Sequence, residues 1–393
     1  MKNRKTILYF MIINFMFMQL VHGEWRASLY VNHAYDDNPF RLPETEESWI
    51  SILNLAIQKD FSSVSLSYSG SFSRFQNMME RNYYWHQAAL FGGSETVQLG
   101  IYAEQRYNRS DYEIYDYLTV NSYVNYQFNL AKFKLYWATD LEINNYKYLD
   151  EIDNFKFNSS IRFHKSFLTR TTIIGGGIIN FKKYLNSYPQ EILPGDSLVN
   201  LNMMKGPGNG PGGGGGQGQY PIYTYTEAPS VSQLRLWLRM AQSLTLTTGI
   251  AIQYQSSFLL NGSNRYVAGI TYGPDEESRI FDDPMGYESN SIGTELTQIL
   301  PENIILKGAF YLTRKNYSSQ GIYLDEENYD ENILRKDTYK TLWFRIQKIF
   351  TLNSDNNNSL ILRLNYQWID NQSNSYWYKY KNTYTSLGLE FQI

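Results

Sequence analysis

The sequence predicts an all-β chain: a transmembrane antiparallel β-barrel of about 16 strands, with about 14 to 16 compatible with the pattern. Three observations predict it. Apolar and polar residues alternate with period two along most of the chain. The connections between these segments alternate between short and long. The chain is polar on average yet carries 35 Tyr, 21 Phe and 8 Trp. Aromatic residues favour strands, and strict alternation reconciles greasy strands with a hydrophilic whole.

The end of the chain shows the pattern most cleanly. From Thr385 onward, Leu387, Leu389, Phe391 and Ile393 share one phase, while Ser386, Gly388, Glu390 and Gln392 share the other. Such a strand needs a sheet beside it and an apolar neighbour on one face. The same pattern runs through Leu29 and Val31, then a segment containing Ile50 and Ile52, then Val64, Leu66 and Tyr68 set against alternating serines. Tyr83 to Phe91 is a weaker segment, admitted partly because the short-long order needs it. Val97 to Ala103, Val124 to Leu130 and Phe133 to Leu141 follow. In the second half come segments around Phe157, Ile179, Leu236, Ile250, Ile292, Phe310, Phe344 and Leu364. Most run about 9 to 13 residues, near what a tilted strand needs to cross a bilayer.

The chain begins with Lys2, Arg4 and Lys5, then an apolar run from Thr6 to Val21 and a small-residue site before Glu24. That is the pattern of a secretory signal peptide. The expected organisation is a signal peptide over 1–23 and a single outer-membrane barrel over 24–393. With those three basic residues taken from 35, the 38 acidic residues outnumber the rest by six, which excludes a general nucleic-acid binder. Cysteine is absent, so neither disulfides nor thiolate chemistry is available.

Short connections are expected near 59–61, 92–95, 130–131, 166–169, 241–243, 300–302 and 351–358. Long ones are expected near 36–47, 73–82, 108–117, 145–153, 185–230, 257–289, 316–337 and 371–381. One end of the sheet then has trimmed turns and the other elaborate loops, the division between periplasmic and outer ends in membrane barrels. An even strand number places both termini at the short-turn end.

The polar phase carries charge. Lys132, Lys134, Arg162, Arg235, Arg239, Lys307, Arg345 and Arg363 lie in it, as do Glu104, Asp140 and Glu295. Inside a closed barrel these are lumen and selectivity candidates, with a basic excess that leans toward anions. The longest connection, about 185–230, holds a glycine-rich run; Gly206, Gly208, Gly212 and Gly216 are candidates for a constriction loop. That run lacks the ending of a phosphate-binding loop. Gly175, Gly176 and Gly177 lie inside a strand, where they relieve crowding. Aromatics near strand ends, among them Tyr146, Tyr148, Tyr184, Tyr188, Trp343, Trp368, Trp377 and Tyr378, are candidates for interface girdles or for a stacking surface at the mouth.

Acidic runs in the long connections, such as Asp275-Glu276-Glu277 and Asp325-Glu326-Glu327, read as solvated loop charge without calcium-loop spacing. No catalytic residue, metal site or cofactor is assigned. His164 lies between Ser160 and Ser166, but nothing in the spacing orients it, and it reads as a wall residue.

With its leader, alternating strands and apolar last strand Phe391-Gln392-Ile393, the chain resembles the Gram-negative outer-membrane β-barrel proteins as a class. The resemblance implies outer-membrane lipid as surroundings, delivery by the barrel-assembly machinery through the C-terminal strand, and both termini in the periplasm. The leading functional expectation is a passive or loop-gated channel for small polar solutes. A non-conducting binding or assembly component using acidic, tyrosine-rich loops is a second reading. An outer-membrane lipid hydrolase is a third, and a soluble secreted β protein a fourth.

Overall fold

The computed structural model describes residues 25–61, 63–130, 133–186, 189–192, 222–225, 229–262, 283–353 and 358–393. Twenty strands are described. The first nine are β1 (Trp25–Asp36), β2 (Ser48–Asp60), β3 (Val64–Phe75), β4 (Tyr83–Gly93), β5 (Val97–Asn108), β6 (Tyr117–Leu130), β7 (Phe133–Tyr146), β8 (Asn154–Ser166) and β9 (Thr171–Tyr184). A small hairpin of β10 (Pro189–Ile192) and β11 (Ile222–Tyr225) precedes β12 (Ser230–Ser243), β13 (Thr248–Gly262), β14 (Tyr287–Leu300) and β15 (Ile304–Tyr317). A second hairpin, β16 (Ile322–Tyr323) and β17 (Tyr329–Asp330), precedes β18 (Lys336–Asn353), β19 (Asn358–Ser373) and β20 (Tyr380–Gln392).

With the two hairpins set aside, sixteen strands form one closed antiparallel barrel, each paired with its sequence neighbours. The ring closes where the last strand meets the first: Leu29 is opposite Phe391 and Val31 opposite Leu389. Ala27 and Ile393 exchange backbone hydrogen bonds of 3.1 and 3.0 Å, so pairing runs to the final residue. Closure leaves no unpaired edge, the condition a sheet must meet to cross a bilayer.

The strands outrun the expected length; β18 has 18 residues and several others have 14. The added residues lie mostly toward the long-loop end, where the walls rise past the apolar band. Seven short connections separate barrel strands, at 61–63, 94–96, 131–132, 167–170, 244–247, 301–303 and 354–357, of which 62, 131–132 and 354–357 lie outside the described residues. The expected turn at 241–243 shifts to 244–247, because Gln242 and Ser243 still pair with Ile250 and Gly249. Tyr83 to Phe91 is a full strand extending to Gly93. The eight long connections are L1 (37–47), L2 (76–82), L3 (109–116), L4 (147–153), L5 (185–229), L6 (263–286), L7 (318–335) and L8 (374–379).

The outer face is an apolar band. Leu53, Leu99, Ile161, Leu236, Ile252, Ile292, Phe344 and Leu387 are each 45 to 54% exposed. Such exposure is prohibitive in water and natural in lipid. At the short-turn rim the band ends in lysines laid on aromatic rings: Lys59 over Trp25 and Phe61, Lys165 over Phe133 and Phe167, Lys348 over Phe350. Apolar stems stay in the band while the ammonium reaches the headgroups. At the other rim His33 stacks on Trp49 with centroids 4.9 Å apart, and Phe72 stacks on Tyr84 at 4.7 Å.

The aromatics expected at interface girdles or at a stacking surface of the mouth fall mostly inside the barrel or its mouth rather than in a girdle. Tyr146 and Trp343 sit in the inward phase, and Tyr184, Trp377 and Tyr378 pack inside the mouth. Trp368 alone of the expected set lies in the outward phase of a strand. Tyr148 is in L4, and Tyr188 is outside the described residues. Ring content did not separate the two faces, because phase decides direction and aromatics occur in both.

Candidate functional site: the lumen and its mouth

Strand phase sends the predicted charges inward. In β12, Gln233, Arg235, Trp237 and Arg239 alternate with the exposed Leu236, Leu238 and Met240. The same holds for Glu104 in β5, Asp140 in β7, Arg162 in β8, Glu295 in β14, Lys307 in β15, Arg345 in β18 and Arg363 in β19. Lys132, Gly206, Gly208, Gly212 and Gly216 lie outside the described residues.

The structure joins some of these residues and leaves others apart. Arg239 Nη1 lies 2.6 Å from Glu295 Oε2. Arg363 pairs with Glu390 and also donates to Gln347, 3.3 Å away. Lys156 pairs with Glu142 at 3.0 Å. Asp140 accepts from Asn158 at 2.8 Å, and Glu104 from Tyr117 at 3.2 Å. Arg345 faces Lys307 across the ladder and donates to Asn365 at 2.8 Å. Arg235 donates to Gln233 at 3.4 Å, and its Nε is buried without a partner among the described residues. Arg162 lies 4.3 Å from the Tyr136 ring centroid. Among the described residues, Lys134, Arg162, Lys307 and Arg345 form no ion pair with a carboxylate, and all four occupy the half of the lumen nearer the short turns.

The long-loop end is built differently. L4 joins the seventh and eighth barrel strands and L8 the fifteenth and sixteenth, so the two loops spring from opposite walls. Yet Tyr378 of L8 forms one buried cluster with Leu149 and Ile152 of L4, Tyr115 of L3 and Tyr184 at the end of β9. Apolar contact therefore spans the mouth. L7 is bound to the same cluster: Gln320 donates to the Tyr378 hydroxyl at 2.8 Å, and Tyr323 N donates to Ser375 Oγ at 2.9 Å. Arg335, 1% exposed, pairs with Asp337, donates to Gln320 at 3.0 Å and stacks on Tyr378 and Tyr317.

On the remaining side, Arg81 of L2 stacks between Phe40 of L1, 4.0 Å away, and Tyr112 of L3, 4.1 Å away. Phe40 and Met78 pack there on Ala34, Ile50 and Phe75. Ile50 thus points into the barrel, against the ordinary apolar-out rule, because inward loops give it an apolar partner. In L3, hydrogen bonds from Tyr148 and Lys147 hold the Glu113 carboxyl below its ordinary value. In L6, burial pushes the Asp283 carboxyl up and the Lys182 charge pulls it further down, for a net lowering. The acidic loops therefore serve partly as mouth fasteners.

Sequence reasoning missed Arg335 and Arg81, which lie in loops where no periodicity signals burial. It also missed Lys315, Tyr136 and Trp237 as inward residues of interest, although strand phase alone places all three. His164 meets Ser166 at 3.4 Å. His86 faces outward, hydrogen-bonded to Tyr68 at 2.6 Å, while Tyr83 and Trp85 are in the opposite phase.

No protein-family model matches the chain, and no curated protein is similar enough to count as a relative. Among solved structures it is similar to Acinetobacter baumannii OccAB1. The identity is 9% and the TM-score 0.53, over 94% of this chain and 96% of that one. It also matches the outer membrane protein OpdK of Pseudomonas aeruginosa at 9% identity and TM-score 0.49, over 94% and 99%. A bacterial polysaccharide outer membrane secretin matches at 8% and 0.48, over 93% and 98%. At these identities the likeness is one of fold.

Proposed function

We propose that this chain is an outer-membrane channel for small polar solutes, leaning toward anions, whose mouth is narrowed by its own loops. The observation that carries the reading is the cationic lower lumen. Lys134, Arg162, Lys307 and Arg345 face inward without a carboxylate partner among the described residues. Buried charge left unpaired is costly in a solid core, and it is tolerated where water fills the space. Sixteen strands are enough to enclose an aqueous path.

Selectivity in this reading comes from Arg162, Lys307, Arg345 and Lys134. Arg239 and Arg363 are held by Glu295 and Glu390 and contribute less net field. The reading includes an outer-membrane location, a periplasmic short-turn end with both termini, delivery by the assembly machinery through β20, and a Gram-negative cell. Narrowing is assigned to L3, L4, L7 and L8. A constriction role for Gly206, Gly208, Gly212 and Gly216 stays a separate proposal, checked by deleting 206–219 and recording conductance.

The deciding experiment is current recording from purified, folded protein in a planar bilayer. Discrete conductance steps support the channel. A folded protein that never conducts removes it and favours the second reading, a closed binding component, for which the cross-mouth contact of Tyr378 with Ile152 speaks.

A further inference from the structure

We propose that the lipid-facing wall across β15, β18, β19 and β20, at the long-loop end, is a docking surface for a lipid whose sugar headgroup carries more than one phosphate. The proposal goes beyond the channel reading. It shares with that reading only the outer-membrane setting and the placement of the long loops at the cell exterior.

Strand phase builds the surface. Phe310, Phe344, Leu364 and Leu387 lie in the exposed outer band. Along the same phase β15 reaches Arg314, β18 reaches Lys340 and Lys336, and β20 reaches Lys381, with Lys379 just ahead of it. Register sets these side by side. Leu312, Lys340, Asp370 and Lys381 are successive partners across the four strands. The next outward row toward the loops holds Arg314, Thr338 and Gln372, and the row below holds Phe310, Leu342 and Trp368. A tryptophan facing lipid sits at headgroup level, so the cations above it stand where lipid phosphates lie.

The charge is concentrated here. Lys340 meets Asp370 at 3.5 Å. Among the described residues, Arg314, Lys336, Lys379 and Lys381 form no ion pair, and Asp370 is the carboxylate on the outward rows of these four strands. On the neighbouring β14, Glu288 accepts from Leu259 N at 3.3 Å. Elsewhere on this rim outward cations stand singly, as Arg74 on β3 and Lys183 on β9. From Arg314 to Lys381 is three strand spacings, about 14 Å, wider than one phosphate can bridge. Thr338, Asn316 and Thr383 lie between or beside the cations and suit the hydroxyls of a sugar.

Below the cations the wall is grooved. About 690 Å³ lies among Leu296, Leu306, Phe310, Leu342 and Ile346. Gly308 opens it, with the Phe344 ring leaning over the gap: an added Cβ would sit 2.8 Å from that ring. From Phe310 to Leu306 the groove runs about 14 Å at the rise of a strand, the length of much of an acyl chain. Cations above an acyl groove fit an anionic amphiphile. A soluble anion would leave the groove empty, and a second copy of this wall would set like charges face to face.

The test is native mass spectrometry of the detergent-purified chain with bisphosphorylated lipid A as the probe. Heat-modifiable migration checks the fold of each variant. The wild type should retain the lipid, and Lys340→Gln with Lys381→Gln should weaken retention about tenfold or more. Arg314→Gln should weaken it less, and Arg74→Gln should leave it unchanged. Lys340→Arg with Lys381→Arg keeps the charge and should bind as wild type, which covers a glutamine pair that does not fold. Phosphate-free lipid A should be held about tenfold more weakly, and the deacylated sugar bisphosphate should not be retained. Equal retention by wild type and the glutamine pair, equal retention of the phosphate-free lipid or of phosphatidylglycerol, or retention of the deacylated sugar overturns the proposal. Bilayer recordings on the same samples separate the two claims. Lipid retention by a chain that never conducts keeps this surface and removes the channel; conduction without retention does the reverse.

Discussion

The guanidinium carbon of Arg335 lies 3.4 Å from the ring centroid of Tyr378, with both side chains almost fully buried. Arg335 belongs to L7 and Tyr378 to L8, and Tyr378 reaches Ile152 and Tyr115 on the far wall. One stacked pair thus couples two loops to a cluster that spans the mouth.

Replacing Arg335 with Met keeps much of the volume but removes the counter-charge of Asp337, which is 2% exposed and is left with the neutral donors Asn371 at 3.2 Å and Tyr317 at 3.4 Å. Breaking a buried pair from one side costs about 3–5 kcal/mol. The cost should fall on the loops rather than on the ladder. The expected outcome is a larger or noisier conductance with heat-modifiable migration retained, read by bilayer recording and gel shift on one preparation.

Glu295 holds Arg239 at 2.6 Å and accepts from the Tyr311 hydroxyl at 2.5 Å. Glu295→Gln removes one negative charge from the lower lumen and leaves Arg239 without its counter-charge. Reversal potentials across a KCl gradient should move toward the chloride limit. Arg239→Gln should move them the other way.

Adjacent residues of β13 separate the two faces. Ile252 is 47% exposed on the outer band, and Gln253 is in the inward phase. Ile252→Arg should destabilise the barrel by about 2–4 kcal/mol if it sits near the bilayer centre. Gln253→Arg should cost much less. Urea titration of refolding into lipid vesicles measures both, and equal costs would contradict the assigned phase.

The Lys182–Asp283 pair fastens the end of L6 to β9. Because the Asp283 carboxyl titrates below its ordinary value, the contact contributes fully above the unfolded carboxylate value of about 3.9 and is lost only as pH falls through the depressed value. The amide of Met285, which donates to Asp283 at 2.9 Å, should be equally protected at about pH 5 and pH 7 once intrinsic exchange is corrected. In Asp283→Asn it should exchange faster at both. Hydrogen exchange of the peptide spanning 283–290 checks this.

The barrel was legible because a period of two is a geometric necessity of strands, and alternation of turn and loop length reports which end each strand leaves. The pairing of the last strand with Leu29 and Val31 followed from closure and is seen as Leu29 opposite Phe391. The charged residues of the polar phase were legible from the alternation as lumen candidates, and their role in selectivity is a proposal. The mouth was not. Tyr378 was a candidate for a stacking surface there, but Arg335 and Arg81 were not: each is buried where side chains of different loops meet, and no local pattern encodes such a meeting. Ile50 shows the same limit, since its inward direction is stabilised by Phe40 and Met78 of two different loops. The glycine run at Gly175 to Gly177 was half legible: it signalled crowding, but only register reveals Arg162 and Trp237 on either side of Gly176.

The central claim is an aqueous path whose lower half is cationic. The reversal potential of the wild-type protein in a planar bilayer, under a tenfold KCl gradient (on the order of 0.1 against 0.01 M, where the Debye length on the dilute side is about 30 Å), tests it most directly. The account predicts discrete steps of current that reverse on the chloride side of zero. Absence of current from folded protein, or reversal on the potassium side, would contradict it.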